Sequence, residues 1–421
     1  MSDEALTRTT IETIWRIEAA RLIGGLARFA GDIDRAEDLA QDALLIALER
    51  WPATGIPDNP GAWLMTTAKN RAVDAARRQA MMAAKHGELE RTAPSWTPPH
   101  ADAVDDPVGD DVLRLVLIAC HPVLSREARV ALTLRLIAGL STAEIARAFL
   151  TSEATIAQRI VRAKRTLSEA RVPFELPGGS DLHARIPPAL EVIYLIFNEG
   201  YTATSGETWL RPELCDEAMR LGRLLAALVP AEAEAHGLLA LMELQASRSR
   251  ARVGPGGVPV PLFEQSRAKW DRLLITRGLA SLARAETLAR PLGPYTIQAA
   301  IAGCHARAGD NGATDWPRIV ALYDGLVELT GSPVVALNRA VAVSMVEGPE
   351  EGLALVDDLA DEPALREYHL VPAVRGDLLL KLGRRADARA EFERAARMTT
   401  NARERELLAA RAASVSPTAA E

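Results

Sequence analysis

Cysteine is scarce in this chain, and the cysteines that are present lie far apart. The 421 residues include Cys120, Cys215 and Cys304 and no other cysteine. An odd number of widely spaced thiols argues against a disulfide framework of the secreted type, and no Cys-x-x-Cys pair of the kind found in zinc sites occurs. We therefore expect buried, reduced cysteines, no bound metal and no cofactor.

Long apolar runs and a secretion signal are also missing. No stretch of about 18 or more uncharged apolar residues occurs, so no membrane-spanning helix is expected. The first residues, MSDEALTRTTIETIW, lack the basic and apolar blocks of a signal peptide. These features predict a cytoplasmic protein that does not bind membranes.

Aromatic and strand-forming patterns are rare, whereas helical patterns are frequent. Aromatic residues make up 4% of the chain and apolar residues 48%, which is enough for an ample core. Apolar residues recur with helical spacing and seldom alternate, so we predict an all-α protein of two or three domains. The net charge is −7, so any nucleic-acid site must be a local basic patch.

The segment Ser141–Leu167 has the pattern of a helix-turn-helix. Ser141 and Glu144 have the spacing of a capping box, and Ser152 offers the N-cap of a second helix. The second helix carries one apolar stripe, consisting of Ile156, Ile160, Ala163 and Leu167.

The other side of this second helix carries Gln158, Arg162 and Arg165. Glutamine and arginine side chains make bidentate contacts with base edges, and arginine neutralises phosphates. The face therefore indicates DNA binding in the major groove. A packed helical hairpin with a solvated basic face remains the alternative from this segment alone.

Two further amphipathic helices are predicted upstream. The helix over residues 34–51 places Glu37, Asp38, Gln41 and Asp42 on its outer face. The helix that opens at Pro60 carries one polar stripe with an aromatic residue. The stripe consists of Trp63, Thr67, Asn70, Asp74 and Arg77, and Arg71 and Arg78 lie beside it. Unstacked DNA binds to aromatic rings and cations in this way, although a core tryptophan beside a solvated basic face gives the same pattern.

In this order the blocks resemble the extracytoplasmic-function (ECF) class of sigma factors in the sigma-70 family. AEDLAQDALLIALERW resembles region 2.2, NPGAWLMTTAKNRAVDAARR resembles regions 2.3 and 2.4, and the helix-turn-helix with the helix before it resembles region 4. The resemblance covers residues 10–175. It implies region 2 over residues 10–82, an acidic linker over 83–111, region 4 over 112–175 and a C-terminal helical domain over 180–421.

The resemblance also implies roles for individual residues. Region 2.2 binds the β′ clamp helices of core RNA polymerase, regions 2.3 and 2.4 melt and read the −10 promoter element, region 4 reads the −35 element, and the β flap is a further polymerase contact. The implied polymerase contacts are Asp38, Gln41 and Asp42. The implied −10 contacts are Trp63, Asn70, Arg71, Arg77 and Arg78, with Trp63 either stacking on a base or supporting the melting loop from behind. The implied −35 contacts are Thr155, Gln158, Arg159, Arg162 and Arg165.

The acidic linker and the C-terminal half extend beyond these motifs. The linker is either a solvated tether or a negatively charged segment that resembles RNA near the polymerase. From residue 182 helical patterns repeat, and Gly348 and Gly383 are spaced as the turns of tetratricopeptide (TPR) helix pairs, with Ala388 and Phe392 packing in the second helix. Such a solenoid is either purely structural or an interaction module for a peptide or protein ligand.

The resemblance implies a sigma factor that performs no covalent chemistry, and we expect its C-terminal domain to regulate it in cis. The alternative is a helix-turn-helix regulator with a TPR sensor domain that is not a sigma subunit, and a third is a TPR scaffold without a DNA role. Glu199, Trp270, Asp271, Tyr295 and His305 form either a packed groove or an enzyme site. No phosphate loop, HExxH sequence or nucleophile elbow supports an enzyme.

Overall fold

A computed structural model describes residues 3–85, 110–148, 151–202, 210–254, 257–310 and 312–415. These residues form eighteen α-helices with short 3-10 turns between some of them, and they contain no β-strand. The predicted all-α fold class is therefore confirmed. The chain divides into two compact units, residues 1–192 and 193–421.

The helices of the first unit follow the predicted blocks. They are α1 Asp3–Ala30, α2 Ile33–Thr54, α3 Pro60–Lys85, α4 Asp111–Ala119, α5 Arg126–Leu136, α6 Thr142–Ala148 and α7 Glu153–Glu169. Helix α8, Gly179–Tyr201, begins in the first unit and ends in the second.

Helices α1, α2 and α3 pack on one another as a three-helix bundle, in which each helix contacts the other two. Helix α2 begins where the Asp32 carboxylate accepts a hydrogen bond from the Arg35 backbone N–H at 2.9 Å, which satisfies one of the free donors of the first turn. It ends at Gly55, whose φ of 82° favours glycine. Buried alanines, among them Ala68 and Ala72 of α3, allow the helices to approach closely.

Helix α4 begins beside α1 at the end of the predicted linker. The Asp110 carboxylate caps α4 by accepting from the Val112 and Leu113 N–H groups at 2.8 and 3.1 Å. A Cβ added at Gly24 of α1 would lie 2.7 Å from the Asp111 carbonyl oxygen, so this approach requires glycine. The last two acidic residues of the linker thus belong to a folded helix start, and its residues 86–109 lie outside the described part.

The first half of α8 contacts α4 and α5. Arg185 is buried and donates a hydrogen bond to the Leu117 carbonyl oxygen at 3.4 Å. Arg126 pairs with Glu191, with Nε–Oε1 at 2.7 Å. Ile186, Ala189 and Leu190 are buried nearby in sequence. Residues 179–192 therefore belong to the first unit, although the predicted C-terminal domain began at residue 180.

The second unit continues with helices in succession. They are α9 Pro212–Leu228, α10 Ala233–Ala246, α11 Arg272–Leu288, α12 Pro294–Arg307, α13 Trp316–Thr330, α14 Pro333–Val346, α15 Pro349–Asp358, α16 Leu370–Lys381, α17 Arg385–Met398 and α18 Ala402–Ser414. From α12 onward each helix contacts the next one in the chain.

The predicted turn and packing residues of the last helices are confirmed. Gly348 and Gly383 have φ values of 112° and 75° between helices, a conformation that favours glycine. Ala388 and Phe392 are fully buried in the core cluster of α14–α18. Assignment of these helix pairs to the TPR class stays a prediction.

Two further predictions concern the cysteines and membrane-spanning helices. Cys120, Cys215 and Cys304 are buried and free, as expected. None of the helices in the described ranges combines the length and the apolar character that crossing a bilayer requires.

Candidate nucleic-acid interface

The helix-turn-helix is fixed by the caps that the sequence predicts. The Ser141 N–H donates to Glu144 Oε2 at 2.8 Å, and the Glu144 N–H donates to Ser141 Oγ at 3.2 Å, which completes the capping box. Ser152 Oγ accepts from the Thr155 N–H at 3.1 Å and starts α7. Both helix starts are therefore set by local side-chain hydrogen bonds.

Helix α7 has one buried face and one exposed face. Its predicted apolar stripe is buried along its whole length, at Ile156, Ile160, Ala163 and Leu167. The structure brings the predicted −35 residues together on the rest of this helix: Thr155, Gln158, Arg162 and Arg165 are exposed, and Arg159 is half-buried. This surface presents amide, hydroxyl and guanidinium groups, the groups that read base edges.

Arg165 also makes a contact within its own helix. Its Nε donates to Glu169 Oε1 at 2.7 Å, and the carboxylate raises the pKa of this fully exposed guanidinium. An exposed pair one turn apart contributes little to stability, so breaking the contact between Arg165 and Glu169 costs little free energy.

Lys164 of α7 points away from the exposed face and contacts α2. Its ammonium pairs with Asp34 at 3.0 Å and lies still closer to Glu37. Burial by itself lowers the pKa of Lys164, but the hydrogen bonds and charges of Glu37 and Asp34 outweigh it and hold the pKa above its usual value. Lys164 therefore joins region 4 to region 2 as a cation.

The position of Glu37 in the structure differs from the predicted one. We expected it on the outer face of α2, and it is instead 9% exposed beneath Lys164. A helical wheel gives the face of α2 on which Glu37 lies, but not the part of the chain that covers this face. Lys164 and Glu37 are 127 positions apart, so no local sequence pattern indicates that they form an ion pair.

The predicted polymerase contacts lie on the open side of α2. Asp38 and Gln41 are exposed, and the side chain of Asp42 is 48% exposed. Leu45, one turn further along α2, is an exposed apolar residue that the sequence analysis did not select. A cavity of 340 Å³ lies beside Gln41 and Leu45, between α1, α2 and the end of α5.

The predicted −10 residues on α3 divide into two groups. Asn70, Arg77 and Arg78 are exposed. Trp63 is half-buried and meets buried Trp51 of α2 edge-on, with ring centres 5.2 Å apart. Arg71 is exposed and lies 3.7 Å from Asp42, so a predicted −10 contact and a predicted polymerase contact form one ion pair.

The C-terminal residues considered as a groove or an enzyme site have separate structural roles. Asp271 caps α11 by accepting from the Leu273 and Leu274 N–H groups. The Tyr295 N–H donates to Glu234 at 2.8 Å, and Glu199 lies 4.0 Å from Arg211. Trp270 and His305 both contact Arg267. Thus two of the five residues share a neighbour within the described residues.

Comparisons with known proteins identify the same regions. Residues 16–81 match sigma-70 region 2, residues 114–167 match sigma-70 region 4, and residues 185–286 match a family of unknown function, DUF6596. An uncharacterised protein of Rhizobium meliloti (strain 1021) is 46% identical over 384 residues, which cover 91% of this chain and 90% of that protein.

Two relatives in Mycobacterium tuberculosis are named ECF RNA polymerase sigma factors. SigG is 30% identical over 195 residues, which cover 40% of this chain and 53% of SigG. SigL is 33% identical over 141 residues, which cover 33% of this chain and 76% of SigL. The two sigma-70 regions in their usual order, together with these relatives, establish that the chain belongs to the ECF group of the sigma-70 family, the sigma factors that act in transcription initiation.

Proposed function

We propose that α2 holds core RNA polymerase while α3 and α7 read the two promoter elements. Asp38, Gln41 and Asp42 contact the β′ clamp helices, and region 4 contacts the β flap. The exposed carboxylates and amide of α2 suit a basic partner, because they are accessible at one side of the helix. The chain itself performs no covalent chemistry.

The observation that carries this proposal is the division of α7 into two faces. Every residue of its apolar stripe is buried, while Gln158, Arg162 and Arg165 remain exposed on a helix with defined caps. A helix held in this way presents its side chains to the major groove at fixed positions, as direct readout of base edges requires. We assign the −35 element to this face.

The −10 element is assigned to α3. Asn70, Arg77 and Arg78 supply exposed hydrogen-bond donors and positive charge for a single strand. Trp63 supports this surface from behind, because its ring packs on Trp51 and does not stand free in solvent. Of the two roles that the resemblance implied for Trp63, the edge-on contact favours the supporting one.

Run-off transcription with purified core polymerase tests this assignment. Core polymerase with the full chain is expected to start transcription at a defined promoter position, and substitution of either promoter element is expected to abolish it. Specific DNA binding by the chain without initiation would instead support the helix-turn-helix regulator and contradict the proposal.

The C-terminal unit regulates these activities in cis, by masking or by ordering the sigma regions. The support is its covalent attachment through α8, whose first half contacts α4 and α5, and its size of more than half the chain. A regulator joined in this way acts at a high effective concentration without a separate binding partner.

The structure indicates where the chain should be truncated in a test of this regulation. A chain ending near Pro177 would lose the buried residues Arg185 and Ile186 and would disturb region 4 itself. A chain ending after Tyr201 retains α8 whole. We expect this shorter chain to bind core polymerase but to give an altered transcription yield, with circular dichroism as the control for folding. Equal yield from both chains under all conditions would contradict regulation in cis.

A further inference from the structure

Three arginines and two aromatic rings meet at the end of α10 in the C-terminal unit. Arg248 donates to Tyr201 Oη at 2.9 Å, and its guanidinium lies 5.8 Å from the ring centre of Trp270. Arg267 lies 4.7 Å from the same ring centre. Arg252 lies over the ring of Tyr201 at 3.5 Å. Each aromatic ring is therefore shared by two guanidinium groups.

These guanidinium groups repel one another in a partly dry environment. Burial lowers the pKa of Arg252 and the pKa of Arg267, and the charge of Arg248 lowers both of them further. Glu404 acts against this on Arg252, and Asp310 acts against it on Arg267. Collecting like charges away from bulk water costs free energy that an opposite charge recovers.

Arg248 is the member of the cluster for which the described residues supply no carboxylate. Its contacts there are the hydroxyl of Tyr201 and the ring of Trp270. Burial lowers the pKa of His305, and the charge of Arg248 lowers it further. Burial raises the pKa of Tyr323, and the charge of Arg248 acts against that rise. Arg248 is thus a half-buried cation, without an anionic partner in the described ranges, that faces several elements of the unit.

Trp270 gives a second, independent observation. It is 5% exposed, and its Nε1–H donor is buried without an acceptor among the described residues. Buried donors in native proteins are nearly always satisfied, so this N–H group is available to an acceptor. The cluster therefore combines excess positive charge with a free N–H group.

We propose that Arg248 and Trp270, with Tyr201 and His305 beside them, form a binding site for a small oxyanion in the C-terminal unit. A phosphate or carboxylate group accepts hydrogen bonds from the guanidinium and the indole N–H at once. It also offsets the charge of Arg248, which no carboxylate among the described residues balances. The inference is independent of promoter recognition, because every residue of the site lies in the unit after residue 193.

His305 reports on occupation of this site. Burial lowers the pKa of His305 to about 4, and the charges of Arg248 and Arg267 contribute to this. An oxyanion between these groups offsets their charge and favours the imidazolium form. Binding is therefore expected to raise the pKa of His305 toward its ordinary value.

The test is isothermal calorimetry on the full chain with inorganic phosphate and, separately, with citrate, at constant ionic strength. We expect saturable binding of at least one of them. Arg248→Gln removes the charge-assisted hydrogen bond and is expected to weaken binding about tenfold or more. Arg250→Gln is the matched control, because Arg250 is exposed and two positions away, and it is expected to bind as the parent chain does.

The two anions distinguish the source of the oxyanion. Binding of phosphate alone indicates a phosphorylated ligand, and binding of citrate alone indicates a carboxylate. Failure of both anions to bind, or equal binding by the parent chain and a folded Arg248→Gln variant, would overturn the proposal.

The His305 titration needs no variant, so it decides the matter even if Arg248→Gln fails to fold. Histidine NMR signals of the parent chain are recorded against pH with and without the anion. A His305 pKa that stays near 4 at saturating anion would also contradict the site.

Discussion

The two helices assigned to promoter DNA differ in how they combine support and recognition. In α7 most groups assigned to DNA are separate from those that hold the helix, since the apolar stripe and Lys164 face inward while Arg162 faces outward. Thr155 is the exception, because its hydroxyl also hydrogen-bonds to the N-cap residue Ser152 at 2.7 Å. In α3 some residues serve both purposes. Trp63 packs on Trp51, and Arg71 pairs with Asp42, although both were predicted to act on the −10 element.

This difference has a physical basis in the two kinds of DNA that the helices are assigned to read. A rigid helix with an independent outer face suits duplex DNA, whose major groove has a fixed shape. A strand that must be unpaired needs a surface that remains in place while bases leave the stack, which costs a few kcal/mol per base. Contacts between recognition residues of α3 and the neighbouring helix α2 supply such a surface. Substitutions in α3 should therefore affect stability and function together, whereas those in α7 should separate them.

The largest effect is expected for Trp63→Ala. Loss of a half-buried indole and its edge-on contact with Trp51 should lower the free energy of unfolding of region 2 by about 2–4 kcal/mol. Promoter opening should fall as well, because the supporting ring is gone. Urea unfolding followed by circular dichroism measures the first effect, and permanganate footprinting of the melted strand measures the second.

Trp63→Phe is the matched control, because a smaller ring keeps part of the edge contact. If Trp63 supports the −10 surface from behind, Trp63→Phe should recover most of the stability of region 2 and most of the promoter opening. Full stability in Trp63→Ala combined with lost opening would indicate a ring that stacks on a base, and the comparison between α3 and α7 would fail at this residue.

A smaller effect, confined to function, is expected for Arg162→Ala in α7. Loss of a base contact should weaken promoter binding by the polymerase holoenzyme by about 1–3 kcal/mol, and substitutions in the −35 element should then matter less. Unfolding should be unchanged because the side chain is exposed. Arg272→Ala, an exposed helical arginine in the C-terminal unit, is the control for a general loss of positive charge.

Lys164→Ala, in the same helix, is expected to lower stability without affecting DNA binding. It removes the cation between Asp34 and Glu37 and should lower the stability of the first unit by about 1–2 kcal/mol, less than a fully buried pair because Asp34 is accessible to water. Because the pKa of Lys164 is raised, its contribution to stability is present at neutral pH and is lost as the pH rises above 10.5.

Promoter affinity in the holoenzyme should not fall in Lys164→Ala, although a lysine of the second helix is lost. Competition binding beside Arg162→Ala gives the direct comparison. A drop in affinity as large as that of Arg162→Ala would show that Lys164 leaves Glu37 to bind DNA, and α7 would then share its groups as α3 does.

The sequence predicted local features better than distant ones. The caps at Ser141 and Ser152 and the buried stripe of α7 were correct, because each depends on residues within four positions. The burial of Glu37 beneath Lys164 was missed, since it depends on how two separate blocks pack. The assigned contacts with DNA and polymerase remain predictions, because they involve molecules outside the chain.

The smallest effect is expected at the pair of Arg71 and Asp42, where the two helices of region 2 meet. The groups are about half-exposed and 3.7 Å apart, so a double-mutant cycle of Arg71→Ala and Asp42→Ala should give a coupling of about 0.2–1 kcal/mol in unfolding. If Arg71 exchanges Asp42 for the −10 strand, and Asp42 is then released to the polymerase, the two residues should be more strongly coupled in transcription than in stability. Open-complex formation by the same four chains measures that second coupling. Equal coupling in both measurements would mean that the ion pair is only structural and that α3, like α7, separates support from recognition at this position.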